Sequence, residues 1–330
     1  LTLFSLIFLH QYIYFADKYG NINFNKQLFT YLIIGGCTSI IGGILFGTNN
    51  IGDNVIYRSV GLMRNPNHFG YYLGSIAIVA LTHPVKSFKS QITYSLIIAL
   101  PSLLFILKSG SRSAIYALIV SFLTYHLILL TKRKTVKSTQ LIIFASMSIL
   151  FLAISLNNSG DGLITKTVAN RIFTGRFFDV GDSGRLILGQ IAFKAFLDNP
   201  IIGVGLGNFV GKSSTYFTPD LVILIKENLR AYDLGAHNEF IRTAAEGGIL
   251  CISSLLFFCA STLTSLYKLI KKESNIISNM SLCFFCLLIY NIIFSLSQDQ
   301  MYLIPYHLIN GVLITFLYHT NESNSLINKS

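Results

Sequence analysis

The sequence predicts an all-α polytopic membrane protein of about nine transmembrane helices, with one long outer-face loop that carries a surface helix. Three observations carry that expectation. Of the 330 residues, 52% are hydrophobic and only 12% charged, against about 25% charged in a soluble domain. Apolar runs recur at close to the roughly 20 residues that cross a bilayer as helix. They are continuous, where a transmembrane barrel would alternate over short strands. Basic residues then collect in alternate short loops, the pattern that marks cytoplasmic connections.

Spans are expected at 1–16, 28–46, 67–83, 92–108, 113–131, 139–156, 246–267, 276–297 and 301–318. Leu1 lies inside an apolar run with no initiator Met before it, so further N-terminal spans are expected upstream. Gly35, Ser39 and Gly43 recur every fourth residue, a spacing that lets a neighbouring helix approach closely. Lys18 and Lys26, then Lys86 and Lys89, then Lys132, Arg133, Lys134 and Lys137, then Lys268, Lys271 and Lys272 lie in alternate connections. Topology therefore accounts for most of the net charge of +11, and no nucleic-acid partner is expected. The same rule places 47–66, 109–112, 157–236 and 298–300 on the outer face. The chain divides into an N-terminal transmembrane bundle (1–156), a long outer loop (157–236), a C-terminal bundle (237–320) and a polar cytoplasmic tail (321–330).

All five cysteines lie in apolar spans, and Cys283-Phe284-Phe285-Cys286 reads as small core filler rather than a redox or zinc motif. With no Trp, the interfacial aromatic role falls to 17 Tyr and 26 Phe.

The long loop is expected to be structured. Asp182 or Ser183 can cap a helix that places Arg185 in its first turn, and Leu186, Ile187, Ile191, Phe193, Phe196 and Leu197 give it an apolar surface. Asn199-Pro200 ends it, because a residue before proline avoids the α region. Such a helix suits the membrane surface or the cap of the bundle. Gly203-Val204-Gly205-Leu206-Gly207 follows, and without a preceding strand it reads as a glycine turn rather than a nucleotide-binding loop.

Charged residues near span ends are the candidates for chemistry. Arg112, in Ser109-Gly110-Ser111-Arg112-Ser113, opens a span on the outer face. It reads either as an interfacial arginine reaching toward lipid headgroups or as an anion contact beside free helix N–H groups. Arg185 has similar surroundings, and its ordinary reading is a solvated loop arginine or one paired with Asp179 or Asp182. With Arg58 and Arg64, four outer arginines run against the positive-inside bias and point to a shared anionic ligand. His237 closes the loop beside Asn238 and Glu239, and histidine is the residue type suited to proton transfer near neutral pH. Asn238, Arg242 and Glu246 share one helix face, and Glu239–Arg242 has the spacing of a structural ion pair. Gln298-Asp299-Gln300 is either a polar turn between spans or part of the same cavity. No metal-ligand spacing is present, and no cofactor is expected.

Taken in order, these residues resemble the O-antigen ligase and polymerase superfamily of bacterial envelope proteins. The matching pieces are Arg58-Ser59-Val60-Gly61 with Asn65-Pro66-Asn67, Ser111-Arg112, Ser183-Gly184-Arg185-Leu186, Pro200 to Gly205, His237-Asn238-Glu239 and Glu246-Gly247-Gly248. The resemblance covers roughly residues 58–300. Gly189 is a departure, since many relatives carry a Trp four residues after the loop arginine. The resemblance implies a multi-pass protein of the bacterial inner membrane that moves a glycan from an undecaprenyl-diphosphate carrier to an acceptor hydroxyl. The acceptor would be a glycan or a lipid A-core. It further implies metal-independent, inverting transfer, with Arg112 and Arg185 holding the diphosphate and His237 orienting or deprotonating the acceptor. Arg58, Arg64, Asn238, Glu239 and Arg242 would contact substrate. The expected geometry is a loop that folds back to bring Arg185 and His237 together near Arg112. Two other classes fit a polytopic chain: a transporter of an anionic or lipid-linked solute, and a non-catalytic assembly subunit. Transporters commonly show internal repeats and charged, broken mid-membrane helices, whereas here the charges sit at span ends and no repeat is visible.

Overall fold

The computed structural model describes, with short interior gaps, residues 34–51, 56–82, 93–132, 180–217, 235–272 and 276–300, and scattered positions of 306–317. The expected spans at 1–16 and 139–156, Arg64, the side chain of Arg58 and the tail 321–330 lie outside the described residues. The chain forms two compact units. One draws on Leu1–Thr174, Leu263–Asn291 and Leu303–Ser330, the other on Gly175–Thr262 and Ile292–Tyr302.

In the first unit, the segment expected as an outer-face loop contains an antiparallel hairpin, β1 (Thr48–Ile51) with β2 (Ile56–Ser59), pairing Asn49 with Arg58. Helix α1 (Pro66–Thr82) begins directly after Asn65, whose side-chain oxygen accepts the Asn67 N–H at 2.8 Å. Almost all of α1 is buried. A π-helical turn (Ser95–Ala99) leads into α2 (Leu100–Ser109). The wider turn falls just before Pro101, whose ring would crowd the carbonyl four residues back in a regular helix. Gly110 ends α2 in the left-handed conformation, and α3 (Arg112–Thr131) follows at once. Aromatic contacts knit the unit: Phe69 meets Phe105 edge-on at 6.1 Å, and Tyr71 stacks on Tyr290 at 5.6 Å. The Tyr71 hydroxyl donates to Asn291 at 2.6 Å, and the Tyr290 hydroxyl to the Tyr71 carbonyl at 3.1 Å. These bonds matter because an unpaired polar group in hydrocarbon is costly.

The second unit is built on α4 (Val180–Asp198), the short α5 (Phe209–Lys212) with a 3₁₀ turn at Ser213–Tyr216, and the first part of α6 (Glu239–Lys272). Helix α7 (Ile276–Ser295) returns the chain to it. Leu188, Ile191, Ala192 and Ala195 form the buried stripe of α4, packed with Val204, Phe209, Ala236 and Ala245. The stop at Asn199-Pro200 is as the sequence predicts, with Asn199 N–H bonded back to Ala195 and Phe196.

Helix α6 is broken at Gly248, which adopts φ 64°, ψ −161°, a region essentially reserved for glycine. The break frees backbone groups that the glycine turn then satisfies. Val204 N–H donates to Ala245 O and Gly205 N–H to Glu246 O, both at 2.9 Å, while Ile249 N–H donates to Pro200 O at 2.7 Å. Gly203 is required here, since a Cβ on it would overlap the Glu246 carbonyl. The run 203–207 is thus a turn, as expected, and its backbone pairs with a helix break.

Arg112–Thr131, Glu239–Lys272 and Ile277–Ser295 are each long and apolar enough to cross a membrane. The chain is a multi-pass membrane protein on these described helices, and the number nine rests on the sequence alone.

Candidate functional site

The second unit contains a cavity of about 520 Å³, within the roughly 300–1,000 Å³ of ordinary ligand pockets. Arg185, Leu186, Gly189, Gln190 and Phe193 of α4 form one wall. Ala236, His237, Asn238 and Ile241 form another, and Leu296 and Ser297 complete it. The wall on α4 follows from its core packing. With the 188–191–192–195 stripe turned inward, Arg185, Gly189 and Phe193 fall at i, i+4 and i+8 on a neighbouring face. Arg185 and His237, at opposite ends of the loop in sequence, therefore line one cavity.

Arg185 does not lie in the first turn of its helix. Helix α4 begins at Val180, so Asp182 and Ser183 are helical residues rather than caps, and Arg185 stands in the second turn. An anion beside it would meet the guanidinium rather than free helix N–H groups.

His237 is the one non-glycine residue with positive φ among the described residues, at 51°. Left-handed geometry is uncommon outside glycine, and such strain persists only where the surroundings hold it. Both neighbours do so. Ala236 is buried, and Asn238 caps α6 by accepting the N–H groups of Phe240 at 3.0 Å and Ile241 at 3.1 Å. The Asn238 amide nitrogen donates to Leu296 O at 3.1 Å, and its backbone N–H to Asp299 at 3.1 Å.

Behind this cap lies a buried ionic network. Arg242 Nε donates to Glu246 at 3.1 Å and Nη1 to Asp299 at 3.0 Å. Glu246 also accepts the Gly207 N–H at 2.9 Å, and Glu239 accepts the Gln300 N–H at 2.5 Å. The sequence suggested a Glu239–Arg242 pair, whereas the geometry gives Arg242 to Glu246 and Asp299. Asn238 lines the cavity, but Glu239 and Arg242 are buried in the network beside it. From the 296–300 segment the cavity takes Leu296 and Ser297, because Asp299 and Gln300 engage Asn238, Arg242 and Glu239. The cap at Asn238 is a role the sequence reading missed, and Asn just before Glu239 is the local signal that could have marked it; the Asp299 partnership has no such signal, being 57 residues from Arg242.

Arg112 belongs to the first unit, where it is the first helical residue of α3 after extended Ser111. The Ser109 hydroxyl donates to Ile106 O at 2.6 Å and accepts the Ser111 N–H at 3.3 Å. Arg58 has its backbone in β2. Among the described residues, no group of three His, Cys, Asp or Glu side chains is placed to hold a metal ion.

Residues 97–258, just under half of the chain, match the family model described as O-antigen ligase. That segment contains Arg112, Arg185, His237 and the Gly248 break, so the resemblance first seen in scattered motifs holds over one continuous stretch. No curated protein matches the chain.

Proposed function

We propose, from the match of residues 97–258 to the O-antigen ligase family, that this multi-pass protein transfers a glycan from a polyprenyl-diphosphate carrier to an acceptor hydroxyl during surface polysaccharide assembly. The observation that supports it best is the shared cavity of Arg185 and His237. The reaction breaks the bond between the anomeric carbon and the diphosphate oxygen, and forms a bond from that carbon to the acceptor oxygen. Attack from the face opposite the leaving group inverts the anomeric centre. The acceptor proton passes to a ring nitrogen of His237, acting as general base. Negative charge develops on the departing diphosphate, where the planar fork of Arg185 matches phosphate oxygens and lowers the barrier. The strained backbone of His237, fixed by the Asn238 cap, supports this role by setting where the side chain leaves the main chain.

Arg112 keeps, as a proposal, the role of a second cation for the diphosphate, and Arg58 and Arg64 that of outer substrate contacts. Asn238, Glu239 and Arg242 are better placed to support the site than to bind substrate, since each is held by other residues of the unit. The loop is proposed to face the outer side of a bacterial inner membrane, where lipid-linked glycans meet their acceptors.

The test is a gene deletion complemented with the full-length protein. Loss of a polymerase leaves single repeat units on the surface, and loss of a ligase leaves finished polymer on the carrier. A deletion that alters neither product refutes the proposal.

A further inference from the structure

Gly189 lines the cavity with no conformational or packing reason to be glycine. It has ordinary helical geometry, and a Cβ built on it meets no atom within 4 Å, so no packing demands glycine. Glycine inside a helix is destabilising relative to alanine. What its missing side chain provides is open space in the cavity wall.

That space has a direction. Gly189 lies one turn, about 6 Å along the axis, from Arg185. On the same side of α4, Leu186, Phe193 and Leu197 are 58%, 52% and 58% exposed, an apolar lane of about 16 Å that runs past Gly189. Leu186 and Phe193 line the cavity and Leu197 lies beyond it, so the lane leads out of the cavity, away from the arginine. Arg185 supplies charge for a phosphate at one end, and the lane supplies apolar contact for what is attached to it. A sugar would need several polar partners along this path, and beyond Gln190 the row from Leu186 through Phe193 to Leu197 is apolar.

We propose that Gly189 is a specificity-determining residue: the gap it leaves admits the apolar chain attached to the diphosphate, which runs from the Arg185–His237 cavity along Leu186, Phe193 and Leu197. This deepens the proposed function by assigning the lipid part of the donor, and it rests on that reading for the donor's chemistry.

The experiment compares binding of undecaprenyl diphosphate with binding of inorganic diphosphate by the purified full-length protein in detergent, alongside transfer activity. Wild type is expected to bind the lipid at least tenfold more tightly than the inorganic ion. Gly189→Leu should lower that preference roughly tenfold, about 1.4 kcal/mol, with no loss of thermal stability. Gly189→Ala should keep most of the preference and melt higher than wild type. Arg185→Ala should weaken both ligands together. Equal binding of the two ligands by wild type overturns the proposal, as does an unchanged preference in Gly189→Leu. If wild type prefers the lipid and Gly189→Leu loses that preference, yet no glycan is transferred, the proposed reaction fails and the lane stands.

Discussion

Replacing Arg242 by methionine separates a supporting role from a substrate-binding one. The guanidinium spans two carboxylates, with Nε to Glu246 at 3.1 Å and Nη1 to Asp299 at 3.0 Å, and the three side chains are 9%, 2% and 13% exposed. Removing it strands two buried anions, and breaking a buried pair in this way costs about 3–5 kcal/mol. Each carboxylate keeps at least one donor, Gly207 N–H for Glu246 and Asn238 N–H for Asp299. The loss should therefore fall near the lower end, about 3 kcal/mol. Arg242→Lys should fall between, because one ammonium cannot serve two carboxylates in the same fork. Adding Glu246→Gln to Arg242→Met removes one stranded charge and should recover roughly 1 kcal/mol, within the usual coupling between contacting residues. The assay is thermal or denaturant unfolding of the purified protein in detergent, with transfer measured per folded molecule. Unchanged unfolding together with abolished transfer would show that Arg242 serves substrate, and the network reading would fall.

Three further outcomes are expected. Arg185→Ala and His237→Ala should insert and fold normally yet lose transfer, His237→Ala by roughly 10²–10⁴-fold if it removes the general base; full glycan transfer by both variants refutes the site. Gly248→Ala should destabilise by about 1–3 kcal/mol, the usual cost of a side chain in glycine-only backbone, because its Cβ would also overlap the Ile201 carbonyl; melting unaffected by the change would mean the break is not fixed there. Asn238→Ala should cost about 0.5–2 kcal/mol as a lost cap, and its transfer should fall more than its stability because His237 loses its clamp, which a comparison of melting with turnover checks.

Local chemistry was legible in the sequence where one residue decides the outcome. Asn199-Pro200 stops α4, the 203–207 glycines turn, and the apolar runs expected at 67–83, 113–131 and 276–297 overlap the helices Pro66–Thr82, Arg112–Thr131 and Ile276–Ser295. The start of α4 was misread because Asp182 and Ser183 make good caps but also stand comfortably in a helical first turn, so composition alone leaves the boundary free. The hairpin at 48–59 hides in a polar stretch without strong alternation. The network around Arg242 was beyond reach for a different reason. Glu246 is visible four residues on, but Asp299 arrives from another helix end, and nothing local announces it. Arg185 and His237 were each unremarkable alone; their meeting depends on how the Leu188–Ala195 stripe turns α4.

Three hydrogen bonds that join Pro200–Gly205 to the break in α6 run from main chain to main chain. Amide and carbonyl groups are the same in every residue, so this joint is blind to most side chains. Apart from the few glycines it needs, positions such as exposed Leu206 are free to drift without loosening it. A protein built this way can keep one rigid frame through long divergence while the cavity wall on α4 is rewritten residue by residue, and retuning then takes single substitutions rather than a new fold.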